Sequence, residues 1–203
     1  MLGLPKNTEL RKVIPKKLLF TKFAMNTAEQ KQFDSVIRQI VITNEISSRT
    51  IPVLSDENDN KAIYVLYVQL KQEACEDKII NKLLTLIEQR IVLALYYEGK
   101  IQLALYNNRL IKSDFQAEEQ VRVELRGMNL HDVWDNMSLQ IANICAKEGQ
   151  SAKEDLINSV ELEKLEKDIG ALTKKMWSEK QPNKKLALRQ KIKALKNKME
   201  ELK

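Results

Sequence analysis

The chain of 203 residues has a single histidine, two cysteines, five glycines and four prolines, and only 5% of its residues are aromatic. One histidine excludes paired-histidine metal sites, and leaves a catalytic triad only His131 as a base. Cys75 and Cys145 supply neither a disulfide framework nor a cysteine-rich zinc site, so both are expected to act as small buried hydrophobes. No phosphate-binding glycine loop is present, because the glycines are scattered and no Gly-Lys-Ser or Gly-Lys-Thr occurs. Few glycines and prolines also disfavour long loops. No run approaches the roughly 18 apolar residues of a membrane span, and after Met1-Leu2-Gly3-Leu4 the start turns basic, unlike a secretory leader. The expectation is a cytoplasmic protein that touches no membrane.

What is there is ordinary hydrophobic content, 43%, with 31% charged residues and a formal net charge of +6. The charge is unevenly placed. Lys6, Arg11, Lys12, Lys16, Lys17 and Lys22 open the chain against Glu9 alone. Lys180, Lys184, Lys185, Arg189, Lys191, Lys193, Lys196 and Lys198 near its end meet only Glu179, Glu200 and Glu201. Basic termini favour polyanions or acidic protein surfaces, although a charge run is more often a solvated face.

Hydrophobic periodicity predicts an α+β fold with a mixed or antiparallel sheet covered by helices. Residues 27–37 read as a helix, with Thr27 suited to the N-cap and Phe33, Val36 and Ile37 at helical spacing. The runs 40–42 and 50–54 read as strands, Pro52 placing the second at an edge, and residues 55–60 as a polar turn. Residues 62–70 are almost continuously apolar, which suits a central strand covered on both faces. A helix over 76–91 carries Ile79, Ile80, Leu83, Leu84, Ile87 and Ile91 on one stripe. Residues 92–97 and 101–107 flank Glu98-Gly99-Lys100 as a β-hairpin, and 121–125 alternate as an edge strand. Asn129 can cap a helix bearing Leu130, Val133, Trp134, Met137, Ile141 and Ile144, with Gly149 as its stop.

Ser151 and Glu154 have the spacing of a capping box that opens a further helix. There Leu162, Leu165, Ile169, Leu172 and Met176 follow the three-and-four steps of a coiled-coil seam, and beyond Pro182 so do Leu188, Ile192, Leu195, Met199 and Leu202. Extending the first repeat would put Glu179, Asn183 and Gln190 on the seam, so the two repeats are out of phase and the chain must turn near residues 178–183. Pro182 suits the first helical position after that turn. The expected product is a core over residues 1–149 and a basic antiparallel helical hairpin over 150–203. Its seam-bearing arms span about 18 residues, roughly 27 Å each. The alternative arrangement is two separate seams that bind partner helices.

Three functional readings follow. The first is a non-enzymatic accessory or interaction subunit that docks through the hairpin onto a protein partner. The second is a nucleic-acid-binding module in which Trp177 stacks and Lys180, Lys184, Lys185, Arg189, Lys191 and Lys193 neutralise phosphates. The third is a metal-dependent nuclease of restriction-endonuclease-like order, with Asp56 or Glu57 as metal ligand and Gln69 and Lys71 in the second motif. Gln69 in place of a carboxylate lacks the charge that would help hold magnesium. No dedicated metal site, cofactor, catalytic set or small-molecule substrate is expected. His131, beside Asp132 at a helix start, suits a surface or capping role.

Leu4-Pro5-Lys6, Ile14-Pro15-Lys16, the strand end Gln69-Leu70-Lys71 and the closing Glu179-Lys180-Gln181-Pro182-Asn183-Lys184-Lys185 together resemble an uncharacterised bacterial family, the domain of unknown function DUF4391. The resemblance spans most of the chain. It implies an accessory role beside helicases and methyltransferases in mobile or phage-defence settings, and it carries over no catalytic residue.

Overall fold

A computed structural model of the chain describes residues 2–54, 61–143 and 152–201. The chain divides into two compact units, Met1–Cys145 and Ala146–Lys203.

The first unit is built on a seven-stranded mixed sheet. Strands β1 (Glu9–Val13), β2 (Ile37–Ile46), β3 (Ile63–Leu70), β4 (Arg90–Tyr97), β5 (Lys100–Asn107) and β6 (Arg109–Lys112) lie side by side in that order, and β7 (Gln116–Ala117) also pairs with β5. Only β3 and β4 run parallel. Parallel neighbours need a crossover, which here carries helix α3 (Asp77–Leu84). Helices α1 (Lys16–Lys22) and α2 (Thr27–Val36) precede β2. Leu19, Phe33, Val36, Ile80 and Leu83 from these three helices pack on Ile40, Leu66, Val68, Leu93 and Leu95 of the sheet. Val65, Val92, Ala94, Leu103 and Leu105 alternate with the latter residues and are also buried, so they point to the opposite face. Helix α4 (Leu130–Ala142) packs against β5 and β6 and buries Leu130, Val133, Trp134, Met137 and Ile141.

The apolar run at 62–70 does form the middle of the sheet, and the hairpin around Glu98-Gly99 is present. Glu98 and Gly99 have φ of 43° and 80°, the two left-handed residues that a tight hairpin turn requires. Several expectations are overturned. Asn26, not Thr27, caps α2: its side chain accepts from the Glu29 N–H while the Glu29 carboxylate accepts from the Asn26 N–H. Residues 50–54 form a turn instead of a strand. Thr50 and Ile51 donate to the Ser47 carbonyl, and the Thr50 hydroxyl bonds the carbonyls of Glu45 and Ser47, so local side-chain bonding displaces a ladder.

The helix expected to reach Ile91 stops at Leu84, where the Thr85 hydroxyl turns back onto Asn81. Ile91 instead begins the interior of β4, opposite Tyr64. An isoleucine satisfies both a helical stripe and a parallel strand, and the pairing with β3 decides. Residues 121–125 are not a strand either. Val121 and Val123 are buried, but their backbone is served by Leu2 and by the Gln140 side chain, which bonds both the N–H and the carbonyl of Glu124. β1, α1, β6 and β7 were not legible. β1 is an exposed edge broken by a bulge at Arg11, φ 50°, a geometry that discourages pairing with another chain. Asn143 ends α4 in the left-handed conformation, φ 54°. Ile144, Cys145, Gly149 and Ser151 lie outside the described residues.

The second unit is a pair of packed helices, α5 (Ala152–Ser178) and α6 (Pro182–Glu201). At 27 and 20 residues, they are roughly 40 Å and 30 Å long, and both exceed the expected arms of about 27 Å. Pro182 occupies the first helical position, where its missing N–H costs nothing.

Candidate partner-binding surface

The helix pair is antiparallel, which two contacts at different levels fix. Near the turn the Lys185 ammonium lies 5.7 Å from the Trp177 ring centre, and further along Lys198 meets Glu161 at 2.6 Å. Leu165 and Ile192 are buried, at 5% and 9% exposure. Leu162, Ile169, Leu172, Met176, Leu188, Leu195 and Met199 are half-buried. Leu202 lies outside the described residues. The turn is held by Glu179, whose carboxylate accepts from the Gln181 N–H. That bond, with the charges of Lys184 and Lys175, holds its carboxyl below the ordinary range.

The basic residues face outward. Lys180, Lys184, Lys185, Arg189, Lys191 and Lys193 are all exposed, and among the described residues none closes an ion pair with a carboxylate. Lys198 is the lysine of this helix that does. Trp177 is 73% exposed, so one flat aromatic surface remains available beside these cations.

The nuclease candidates resolve differently. Gln69 and Lys71, at the end of β3, line an open cleft of about 500 Å³ together with Arg38, Tyr96, Tyr97 and Glu98. It lies at the carboxyl ends of the parallel pair β3 and β4. Lys71 Nζ donates to the Asp34 carbonyl oxygen, and the Asp34 carboxylate is engaged by Lys16 at 2.7 Å. Asp56 and Glu57 lie outside the described residues. Among those described, no group of three or more histidine, cysteine, aspartate or glutamate side chains could hold a metal ion. Sequence reasoning missed Arg38, Tyr96, Tyr97 and Glu98, which only strand pairing brings beside Gln69.

His131 sits on the exposed side of α4 with Nδ1 3.2 Å from the Asp135 carboxylate, whose other oxygen accepts from Asn107. The Ser138 hydroxyl donates to the Trp134 carbonyl, so its proton is committed to the helix and not directed at His131. Cys75 is half-buried, and burial first, with Asp77 and Glu76 nearby, pushes its thiol up to about 11. A thiol at that value is mostly uncharged near neutral pH and a poor nucleophile.

No helix among the described residues is long and apolar enough to cross a membrane. No curated protein and no solved structure matches the chain. A family pattern does, over residues 2–199. The chain therefore belongs to the family described as Domain of unknown function (DUF4391).

Proposed function

We propose that this chain is a non-enzymatic accessory subunit whose helical hairpin docks onto the phosphate backbone of a nucleic acid, in the DNA-processing or defence setting that the family resemblance implies. One observation carries the reading: Lys180 and, on α6, Lys184, Lys185, Arg189, Lys191 and Lys193 are exposed and close no ion pair with a carboxylate among the described residues, while Leu165 and Ile192 are buried where α5 and α6 pack together. Burying Leu165 and Ile192 between α5 and α6 leaves less of the apolar stripe to a partner helix. Free ammonium and guanidinium groups retain their full attraction for a polyanion, and binding releases the counterions condensed on it. Trp177 adds a stacking surface at the turn, worth about 1–3 kcal/mol per base in comparable sites.

Fluorescence anisotropy of a labelled DNA strand against salt concentration tests this. The full chain should bind with a steep salt dependence. Replacing Lys180, Lys184, Lys185 and Arg189 by alanine should lower the slope of log affinity against log salt by about 2–4, at roughly 0.7–0.9 per lost phosphate contact. Salt-independent binding, or a slope unchanged in the variant, would refute the docking surface. Capture of an acidic protein by the unmodified hairpin, without DNA binding, would reassign the partner.

A further inference from the structure

The cleft at the carboxyl ends of β3 and β4 has a surplus of hydrogen-bond donors. Arg38 stands on β2 beside β3, where Gln39 pairs with Gln69. Its guanidinium closes no ion pair among the described residues, so five N–H donors in a planar fork remain open. The Gln69 amide likewise has no side-chain partner there. Lys71 carries three N–H donors and uses one on the Asp34 carbonyl, leaving two. Tyr96 and Tyr97 also line the cleft, the Tyr97 hydroxyl bonded to Glu98. The Gln69 carbonyl and the two phenolic oxygens can accept, and the one carboxylate lining the cleft is that of Glu98. Its charge, with burial and a hydrogen bond between them, raises the Tyr97 phenol, so Glu98 is partly occupied by its neighbour.

Donors in excess of acceptors favour an oxyanion, and a guanidinium fork beside an ammonium matches phosphate oxygens. The cleft lies at the carboxyl ends of β3 and β4, the end of the strands at which mostly parallel sheets bind their ligands. The cleft, at about 500 Å³, is too large for phosphate alone and has room for a sugar and a base. The Tyr96 ring, 5.4 Å from Tyr67 and tilted 32° to it, supplies a flat wall. We propose that this cleft binds a nucleotide through its phosphate, with Arg38 and Lys71 holding the oxygens and Tyr96 beside the base. The nucleotide is either free or the 5′-phosphorylated end of a strand.

The test is an amide chemical-shift titration of the full chain with inorganic phosphate, a nucleoside monophosphate and a 5′-phosphorylated trinucleotide. Saturable shifts are expected at Arg38, at residues 69–71 and at 96–98, with the monophosphate tighter than inorganic phosphate. Arg38→Ala should weaken binding by about tenfold or more. Because Arg38 is exposed and unpaired, the rest of the spectrum should stay unchanged. Glu98→Gln, which removes the like charge, should tighten binding. Equal affinity for monophosphate and trinucleotide identifies a free nucleotide, and a clear gain for the trinucleotide identifies a strand end. Shifts that never saturate, or affinity that survives Arg38→Ala, would overturn the proposal. The quadruple hairpin variant should keep this binding, and its loss there would overturn the cleft as well. Failure of the cleft leaves the salt dependence of the hairpin untouched.

Discussion

The Asn26 side chain and the Glu29 carboxylate close a reciprocal pair of bonds at the start of α2, and α2 delivers Phe33 and Val36 to the core. Asn26→Ala should cost about 1 kcal/mol, within the usual 0.5–2 for a lost cap, lowering the melting temperature of this unit by a few degrees, about 3 °C. Glu29 adds a pH dependence. Its carboxyl is held below the ordinary value of 4.5, first by the Asn26 N–H and then by Lys82. A carboxyl depressed on folding stabilises the fold above its unfolded value, and that contribution is lost as pH falls through 4.5 toward the folded value. Urea midpoints between pH 6 and 3 should therefore decline less steeply in Glu29→Gln, which keeps an acceptor for the Asn26 N–H but cannot titrate. An identical acid limb in both proteins would remove Glu29 from the account. Gly127 is a different case. At φ +139° an added Cβ would come within 2.8 Å of the Val133 backbone nitrogen, so the approach to α4 requires glycine there.

At the scale of elements the hairpin is the more instructive, because its helices are weakly amphipathic and heavily charged. Its apolar contribution rests on a narrow stripe centred on Leu165 and Ile192. Gly170 interrupts α5 in open space, with nothing within 4 Å of an added Cβ. Glycine inside a helix costs about 1 kcal/mol relative to alanine. Gly170→Ala should thus slow hydrogen exchange of the α5 amides by about fivefold, without altering salt-dependent DNA binding, since an added Cβ there meets nothing within 4 Å and no charge changes. Exchange unchanged or faster would mean that α5 is not limited by its own helix stability. The exposed Lys198–Glu161 pair should matter little by comparison, about 0–1 kcal/mol.

For the whole molecule, a non-enzymatic subunit is proposed, and metal-dependent cleavage is the activity that would contradict it. Lys71 spends one of its three N–H donors on the Asp34 carbonyl, and Gln69 offers a neutral oxygen where magnesium favours charge. The purified chain with Mg²⁺ or Mn²⁺ is expected to leave DNA intact over hours. Cleavage abolished by Lys71→Ala would make the chain an enzyme and Gln69 and Lys71 its site.

How much was legible follows from the range of the interactions. The central strand, the tight hairpin at Glu98-Gly99, the Asn129 cap and the turn before Pro182 were readable, because each depends on neighbours within a few residues: a continuous apolar run, a left-handed turn, a side-chain cap, a missing N–H. Leu165 and Ile192, which are buried, fall on the repeats expected of the two helices. Residues 50–54 and 121–125 carry strand-like patterns, but their backbone groups find partners in Thr50, Leu2 and Gln140, and nothing in a local pattern announces those partners. The helix around 76–91 failed at Ile91, where one hydrophobe fits two periods. Arg38, Gln69 and Tyr96 come from three separate segments, and only pairing between β2, β3 and β4 sets them around one cleft. By itself the sequence determined the α+β class, the Asn129 cap, the turns at Glu98-Gly99 and before Pro182, and a basic helical pair, since periodicity and charge are local properties. Which strands neighbour one another, and hence where unpaired donors converge, was decided by tertiary structure, because register depends on burying side chains across the sheet and not along the chain.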